Sequence, residues 1–412
     1  MGYGKLAKGI SEEEARRKLE KVMPSQERKK SFQGTSPSIF IGSHNYPEVN
    51  TGVLSPQQPL GSSGLMDSPK NWYRKNYSIE KIASLRTSLV NSKERQKVKK
   101  PGNFAKNTRE IAMAKKPVNI EVELEKRPGQ SISGGRAKPV SASGDVEAFN
   151  LGENPSVERK IEDMFYDRDA KAETAIDELH DKGVDKYQIQ QSFTAGMLGE
   201  DENRELVPTR WSITATDDMI SKKLRRQVKD FQQLGQIEYY NNEYVGNDFH
   251  IFLIPGRWEY ELIEMKRPGS VWNASTSSKS DTQGSLSTGK PPNTAENTYI
   301  AQNYEPYSGR TSYAEQTAGA FYAARLGTLE HLRNRKRQAK ALILRDVSPE
   351  YWAPLGVWVI RETMRNAFNE KKELNTFKEV KQTIGTEFKF LYHRLKQKSK
   401  IIGSRQASIT DF

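Results

Sequence analysis

Residues 237–266 read IEYYNNEYVGNDFHIFLIPGRWEYELIEMK, the densest run of β-branched and aromatic residues in the chain. Three segments stand out, Ile237–Val245, Phe249–Ile254 and Arg257–Lys266. Asn241-Asn242 and Pro255-Gly256 supply turn residues, so the stretch predicts an antiparallel meander. Side chains alternate along a strand, which places Trp258, Tyr260, Leu262, Glu264 and Lys266 on one face.

On either side of this stretch the signals are mixed. Thr216 is expected to cap a helix over about 217–231, with Asp217 and Asp218 at its positive end. Two or three helices are expected between 155 and 196. Val118, Ile120, Val122 and Leu124 alternate with polar residues and predict a strand. Ser78 is placed to cap a helix running to Val90, and Ser38–Ile41 reads as a short strand. Residues 31–70 are rich in Ser, Pro and Gly and are expected to run irregularly. Downstream, helices are predicted over Ser312–Arg335, Leu355–Phe368 and Thr376–Lys400, with a strand at Ala339–Val347. The inner stripe of the last helix is Phe377, Val380, Ile384, Phe388, Leu391 and Leu395. The fold class is therefore mixed α/β, of the α+β kind, with helices flanking a central, mostly antiparallel sheet. Residues 126–146 and 273–298 have loop composition and read as flexible insertions. The expected organisation is a flexible arm with one short helix over 1–30, begun by the capping box Ser11-Glu12-Glu13-Glu14, a body over 31–400, and a tail over 401–412.

Composition narrows the chemistry. The 412 residues include no Cys, which removes disulfides, thiolate nucleophiles and thiolate-ligated metals. The five His have no i,i+4 pair, and Gly2-Tyr3-Gly4-Lys5 lacks the spacing of a phosphate-binding loop. No apolar run reaches membrane-spanning length, and an intracellular, cytoplasmic and nucleoid-associated protein is expected, with no membrane partner. The net charge is +13 and it is localised. Residues 93–116 hold nine Lys/Arg against two Glu, and residues 371–405 hold ten against three. Concentrated positive charge points to DNA, since phosphate neutralisation dominates such binding. Lys97, Lys99, Lys100, Lys106, Arg335, Lys336, Arg337, Lys396 and Lys398 are the candidate phosphate contacts. Arg210 and Ser212 can also hold phosphate, and Trp211 can stack on a base. The other reading puts Trp211 in the core and pairs Arg210 with Asp217 or Asp218.

The chain ends Arg405-Gln406-Ala407-Ser408-Ile409-Thr410-Asp411-Phe412. In one tight helical turn Ile409 and Phe412 eclipse, with Gln406 one turn earlier. Two apolar anchors and a polar hook suit a pocket on another protein. The tail resembles the peptides that bind the DNA polymerase sliding clamp (PCNA), although those usually end in two aromatics and this one has a single Phe412.

Longer strings resemble one family, the archaeal Nre proteins of the NreA/NreB type. They include SPSIFIGSHNYPEVNTGVLSP at 36–56, MDSPKNWY at 66–73, SLRTSLV at 84–90 and FNLGENPSVERKIEDMFYDRDAKAE at 149–173. They continue with LVPTRWSITATDDMIS at 206–221, PGRWEYELIEMKRPGSVWN at 255–273, AGAFYAARLGTLEHL at 318–332 and SPEYWAPLGVWVIRETMRNAF at 348–368. The resemblance implies a role in DNA repair and the DNA damage response. It also implies clamp binding through Gln406, Ile409 and Phe412. Many members begin with a Cys-rich zinc segment, which a chain without Cys cannot form. No cofactor is expected.

An alternative function is a metal-dependent nuclease. Asp248 followed by Glu264-Met265-Lys266 has the D…ExK pattern in which carboxylates hold Mg²⁺ and a lysine positions water. Ion pairing at a strand end explains the same charges. Asp167-Arg168-Asp169 and Asp217-Asp218 read as ligand pairs or as helix-dipole partners. Tyr304, Tyr307, Arg310 and Tyr313 form an aromatic–basic cluster suited to single-strand stacking.

Overall fold

In the computed structural model, which describes residues 12–23, 27–129, 141–271, 273 and 297–403, the alternating segment is a strand as expected. Val118, Ile120, Val122 and Leu124 are buried, and the residues between them face solvent. The expected cap Ser11 and the clamp-peptide residues Gln406, Ile409 and Phe412 lie outside the described residues.

The chain divides into two compact units, Arg16–Lys223 and Leu224–Phe412, with Met1–Ala15 grouped with the latter. Helix α1 (Glu12–Val22) comes first. The strands of the first unit are β1 (Ser31–Ser36), β2 (Ser38–Ile41), β3 (Glu48–Ser55), β4 (Val90–Lys97), β5 (Val118–Leu124) and β6 (Ala142–Leu151). Helices α2 (Pro69–Arg74) and α3 (Ile79–Thr87) separate β3 from β4, and α4 (Asn103–Met113) separates β4 from β5. After β6 come α5 (Arg159–Tyr166), α6 (Ala172–Asp181), α7 (Lys186–Thr194) and α8 (Thr209–Lys229), which contains the division between units.

The first sheet has the order β1-β5-β6-β4-β3-β2, antiparallel except for the β4–β6 pair. Gly34 is required where β1 passes the end of β3, since a Cβ there meets the Pro56 carbonyl. The edge strand β2 does not present free backbone donors along its length. Ile41 N–H donates to Thr209 Oγ1 (2.9 Å) and Ile39 N–H to Gln191 Oε1 (3.3 Å), which blunts the edge. Ser78 caps α3 as expected, accepting from Lys81 N–H (3.3 Å). Helix α8 begins seven residues before Thr216, so Thr216 and Asp217 are interior rather than capping. Asp217 is fully buried and pairs with the buried Lys186 at the start of α7, which overrides its poor helix propensity.

The second sheet contains β7 (Ile237–Tyr244), β8 (Asn247–Ile254), β9 (Glu259–Lys266), β10 (Tyr299–Glu305), β11 (Lys340–Val347) and β12 (Lys372–Leu374). Its helices are α9 (Gly319–Arg335), α10 (Trp358–Arg365), α11 (Phe377–Glu387), α12 (Tyr392–Lys398) and α13 (Lys400–Gly403). The order is β10-β9-β11-β8-β7-β12. The meander is thus opened: β11 sits between β8 and β9, parallel to β9 and antiparallel to β8. Its run ALIL is buried on both faces, as a central strand requires. The β7–β8 turn is Val245-Gly246, both at positive φ, and not Asn241-Asn242. Gly246 supplies the conformation a two-residue hairpin needs, and a Cβ there meets the Tyr351 backbone.

One face of this sheet packs Phe252, Ile254, Ile263, Met265, Leu342 and Leu344 against Val380, Ile384, Phe388, Leu391 and Leu395. The predicted apolar stripe holds, but the predicted helix Thr376–Lys400 is broken into α11, α12 and α13. A buried carboxylate forces the last break. Glu261 accepts from Ser399 Oγ (2.6 Å), Lys400 N–H (2.7 Å), Ile401 N–H (3.1 Å) and Gln302 Nε2 (2.7 Å). Those backbone groups are the open donors of a helix start, so α13 begins afresh at Lys400.

The mixed α/β class stands, with its strands in two six-stranded sheets that are each mostly antiparallel. Part of the expected loop 126–146 is strand, since β6 begins at Ala142. The helix expected from Ser312 begins at Gly319. Among the described residues no helix is long and apolar enough to cross a membrane.

The Lys186–Asp217 pair should be costly to break and cheap to replace. Asp217→Ala is expected to lose ~3–5 kcal/mol in denaturant unfolding, because Lys186 is left charged and buried. The apolar double variant Lys186→Met/Asp217→Leu should recover most of that loss; equal loss in both would show that packing, not charge, dominates.

Candidate nucleic-acid interface

The β2–β3 turn brings Tyr46 to the surface of the first unit. Glu48 N–H closes it on the Asn45 carbonyl (2.9 Å), Asn45 has positive φ, and Tyr46–Pro47 is cis. The Pro47 carbonyl then accepts from Val98 N–H (3.0 Å), and the Val98 carbonyl from Leu206 N–H (3.0 Å). Three distant segments are laced at one residue. Val98 points inward to a small core with Ile41, Val49, Ala105 and Leu206. Strand alternation therefore turns its neighbours Lys97 and Lys99 outward, and both are exposed. Lys100 follows at positive φ, held by a turn in which Gly102 N–H donates to Gln96 Oε1 (2.6 Å). Lys106 is exposed one turn into α4, next to the core residue Ala105.

Leu206 leads directly into α8, whose first turn carries Arg210 and Trp211. The Trp211 ring lies 5.0 Å from that of Tyr46, tilted by 55°, and both side chains are 45% exposed. Trp211 is therefore not core. Arg210 does not pair with the acids expected for it: Asp217 is held by Lys186 and Asp218 by Lys222 (2.7 Å). Ser212 is buried against Thr194 Oγ1 (2.5 Å) and holds helix packing rather than a ligand.

The basic segment 93–116 separates into bound and free charges. Arg95 pairs with Glu48 (3.1 Å), Lys93 with Asp145 (3.2 Å) and Lys115 with Glu158 (3.8 Å). Arg109 donates to the Ala195 carbonyl (3.2 Å), and burial lowers its pKa. Lys97, Lys99, Lys100, Lys106 and Arg210 are exposed and make no ion pair among the described residues. The result is an exposed aromatic pair flanked by unpaired cations, assembled from 42–50, 97–106 and 206–211.

In the second unit the candidates fare differently. Arg335 grips Glu238 through both nitrogens, one at 2.9 Å, which raises its own pKa. Arg337 donates to the Lys336 carbonyl (3.0 Å) and Lys398 to the Ile300 carbonyl (3.2 Å). Lys336, at the left-handed end of α9, and Lys396 remain exposed. Arg310 is engaged with the Tyr304 (2.8 Å) and Tyr313 (3.1 Å) carbonyls. Tyr307 has the Lys229 ammonium 3.9 Å over its ring, and Tyr313 stacks on Tyr322 (5.4 Å). Asp167 accepts from Asp169 N–H and Ala170 N–H (both 3.1 Å), a turn rather than a ligand pair.

The nuclease-like residues do not form one site. In register across the sheet, Glu264 lies beside Arg345 and Phe249, while Asp248 lies beside Asp346 and Met265. Laterally paired residues share a face, so Asp248 and Glu264 point to opposite faces. Glu264 and Lys266 do share a face, 3.3 Å apart, but Glu264 is buried against the buried Arg345, whose Nε donates to Asn247 Oδ1 (3.1 Å). Ion pairing thus accounts for the charge on this apolar face. Asp248 accepts from Asn241 Nδ2 (2.7 Å) and bonds His250 (3.2 Å). Burial alone raises its pKa, and the hydrogen bonds from His250 and Asn241 outweigh it and hold the group below its ordinary value. Among the described residues no three His, Asp or Glu are grouped to hold a metal. Two contributors escaped the sequence reading. Tyr46 sits in a Ser- and Pro-rich stretch without periodicity, and Arg345 gave one signal, a lone charge ending an apolar run.

The chain matches two family models: "Archaeal Nre, N-terminal" over residues 13–273 and "Archaeal Nre, C-terminal" over residues 305–412. It is 40% identical over 389 residues to the DNA repair protein NreA of Haloferax volcanii, covering 92% of this chain and 88% of that protein. The NreA protein of Archaeoglobus fulgidus is 34% identical, covering 82% and 80%. The NreB protein of the same organism is 28% identical, covering 96% of each chain. No solved structure matches.

If Glu264 serves Arg345 rather than a metal, Glu264→Ala should lower stability by ~3–5 kcal/mol, because a buried arginine loses its partner. Mg²⁺ should leave the Tm of the unaltered protein unchanged. A Tm that rises with Mg²⁺ and ceases to rise in Glu264→Ala would restore the metal reading.

Proposed function

The chain belongs to the archaeal Nre family, and from that premise we propose that it is a DNA repair protein that holds DNA on its first unit and reaches the sliding clamp through its tail. The observation that carries the reading is the convergence of the Tyr46–Trp211 pair with Lys97, Lys99, Lys100 and Arg210. Cations without protein partners are the ones available to phosphates, and each phosphate they neutralise releases counterions. Exposed rings beside them offer stacking to unpaired bases without sequence choice. The names of the similar proteins, DNA repair protein NreA and NreB, agree with this chemistry.

The tail supplies the location. Gln406, Ile409 and Phe412 provide a polar hook and two apolar anchors for the clamp pocket. A single terminal aromatic suits a weak contact, and tethering compensates: a protein held by both clamp and DNA meets the second at high effective concentration.

Two measurements test the two halves. Fluorescence anisotropy with a single-stranded oligonucleotide should show Lys97→Glu/Lys99→Glu/Lys100→Glu binding at least tenfold more weakly, with the slope of log K against log salt shallower by about 2. Trp211→Ala should weaken binding by about tenfold with the salt slope unchanged. Undiminished binding in both variants would remove the DNA surface. For the tail, calorimetry against the clamp should give binding for the full chain and none for a chain ending at Ser404, with oligonucleotide affinity preserved. Clamp binding that survives the truncation would refute the tail assignment.

A further inference from the structure

Phe390 is 80% exposed, the most exposed of the large apolar side chains described. It lies in the turn between α11 and α12, which backbone hydrogen bonds close. Leu391 N–H and Tyr392 N–H both donate to the Phe388 carbonyl (2.8 Å each), and Phe388 N–H donates to Ile384 (2.8 Å). On either side of Phe390 the chain is anchored in the core. Phe388 packs edge-on to His250 (4.8 Å), and Leu391 joins the same apolar cluster. With both flanks drawn inward, Phe390 is driven out. Phenylalanine is ordinarily a core residue, and here the ring stays in water while the residues on either side of it are drawn inward, which leaves it open to an occupant.

The charge around it identifies the occupant. Lys389, next to Phe390, His393, one turn on, and Lys396 are all exposed, and neither lysine has an ion pair among the described residues. The acid nearest in sequence, Glu387, is half-buried and its charge bears on the Tyr239 phenol. The whole segment 371–405 is strongly basic. An apolar ring projecting from a cationic surface fits a base step in DNA: phosphates meet the lysines, and the ring enters where bases are unstacked.

Resting on the DNA reading above, we infer that Phe390 is a wedge that stacks into an interrupted base step, so that the second unit prefers distorted duplex to intact duplex. Entry between well-stacked bases costs unstacking energy, and it costs least where a bulge or mismatch has already opened the step. The preference for distorted DNA then follows from the energy of deformation and needs no base-specific contact. Glu261 fixes the start of α13, ten residues after Phe390, so the basic turn and the start of the tail are held to the same sheet. A clamp-bound tail would deliver the wedge to DNA near the clamp.

The test uses the full chain and two duplexes of equal length, one intact and one with a two-base bulge flanked by 2-aminopurine. Phe390→Ala should bind the bulged duplex about tenfold more weakly and the intact duplex as the unaltered protein does. The 2-aminopurine emission should change on adding the unaltered protein or Phe390→Tyr, which keeps a ring, and not on adding Phe390→Ala. An exposed side chain leaves the Tm unchanged, which separates lost contact from lost fold. Equal binding of the bulge by the unaltered protein and Phe390→Ala overturns the wedge alone. Failure of the unaltered protein to bind either duplex overturns the DNA reading beneath it. So does sedimentation with phosphatidylglycerol vesicles through Phe390 without DNA binding, which assigns the ring to a membrane surface.

Discussion

A charge removed from water must find its partner inside the protein, and that requirement decides which elements meet in both units. Lys186 and Asp217 join α7 to α8, which sets the direction in which α8 presents Arg210 and Trp211. Arg345 on the central strand β11 meets Glu264 on β9. Glu305 at the end of β10 accepts from Arg325 of α9 (2.5 Å) and from Trp258 Nε1 (3.1 Å), with Arg225 at 3.1 Å. Glu261 collects the start of α13. A buried carboxylate accepts only the geometry that satisfies it, because an unmatched charge or donor is costly away from water. These pairs therefore fix register and orientation more than they add to stability.

The same rule separates charges bound within the protein from charges left exposed. Four of the nine basic side chains of the 93–116 segment are bound to a carboxylate or a carbonyl, and the net excess is concentrated on the others. Lys97 and Lys99 are outward because Val98 is inward, and Val98 is inward because its backbone is laced to Pro47 and Leu206. The exposed cationic surface is thus a consequence of core formation beneath it. Arg335, by contrast, reads in sequence like its neighbours in a basic run and is consumed by Glu238.

The two family segments are not the two structural units. The first extends through β9, and the second begins at the end of β10 and includes β11. Since β11 inserts between β8 and β9, the second sheet is complete only when both segments contribute. Substitutions on either side of the intervening stretch are therefore expected to be felt in one shared core.

Local chemistry was legible in sequence. The strands at 118–124, 237–244, 247–254, 259–266 and 340–347, the Ser78 cap and the apolar stripe ending at Leu395 follow from periodicity and capping. Strands such as β3 and β4 were not legible, because VNSKERQK has the composition of a solvated segment and becomes a strand only through its neighbours. The sequence alone determined the absence of thiolate chemistry, the basic excess, the family resemblance and the QxxIxxF tail, since each is a property of residue identity or close spacing. Tertiary structure alone decided which cations are free, that Tyr46 meets Trp211, that Asp248 and Glu264 face apart and that Phe390 stands out. These depend on sheet order and long-range pairing, which residue spacing along the chain does not encode.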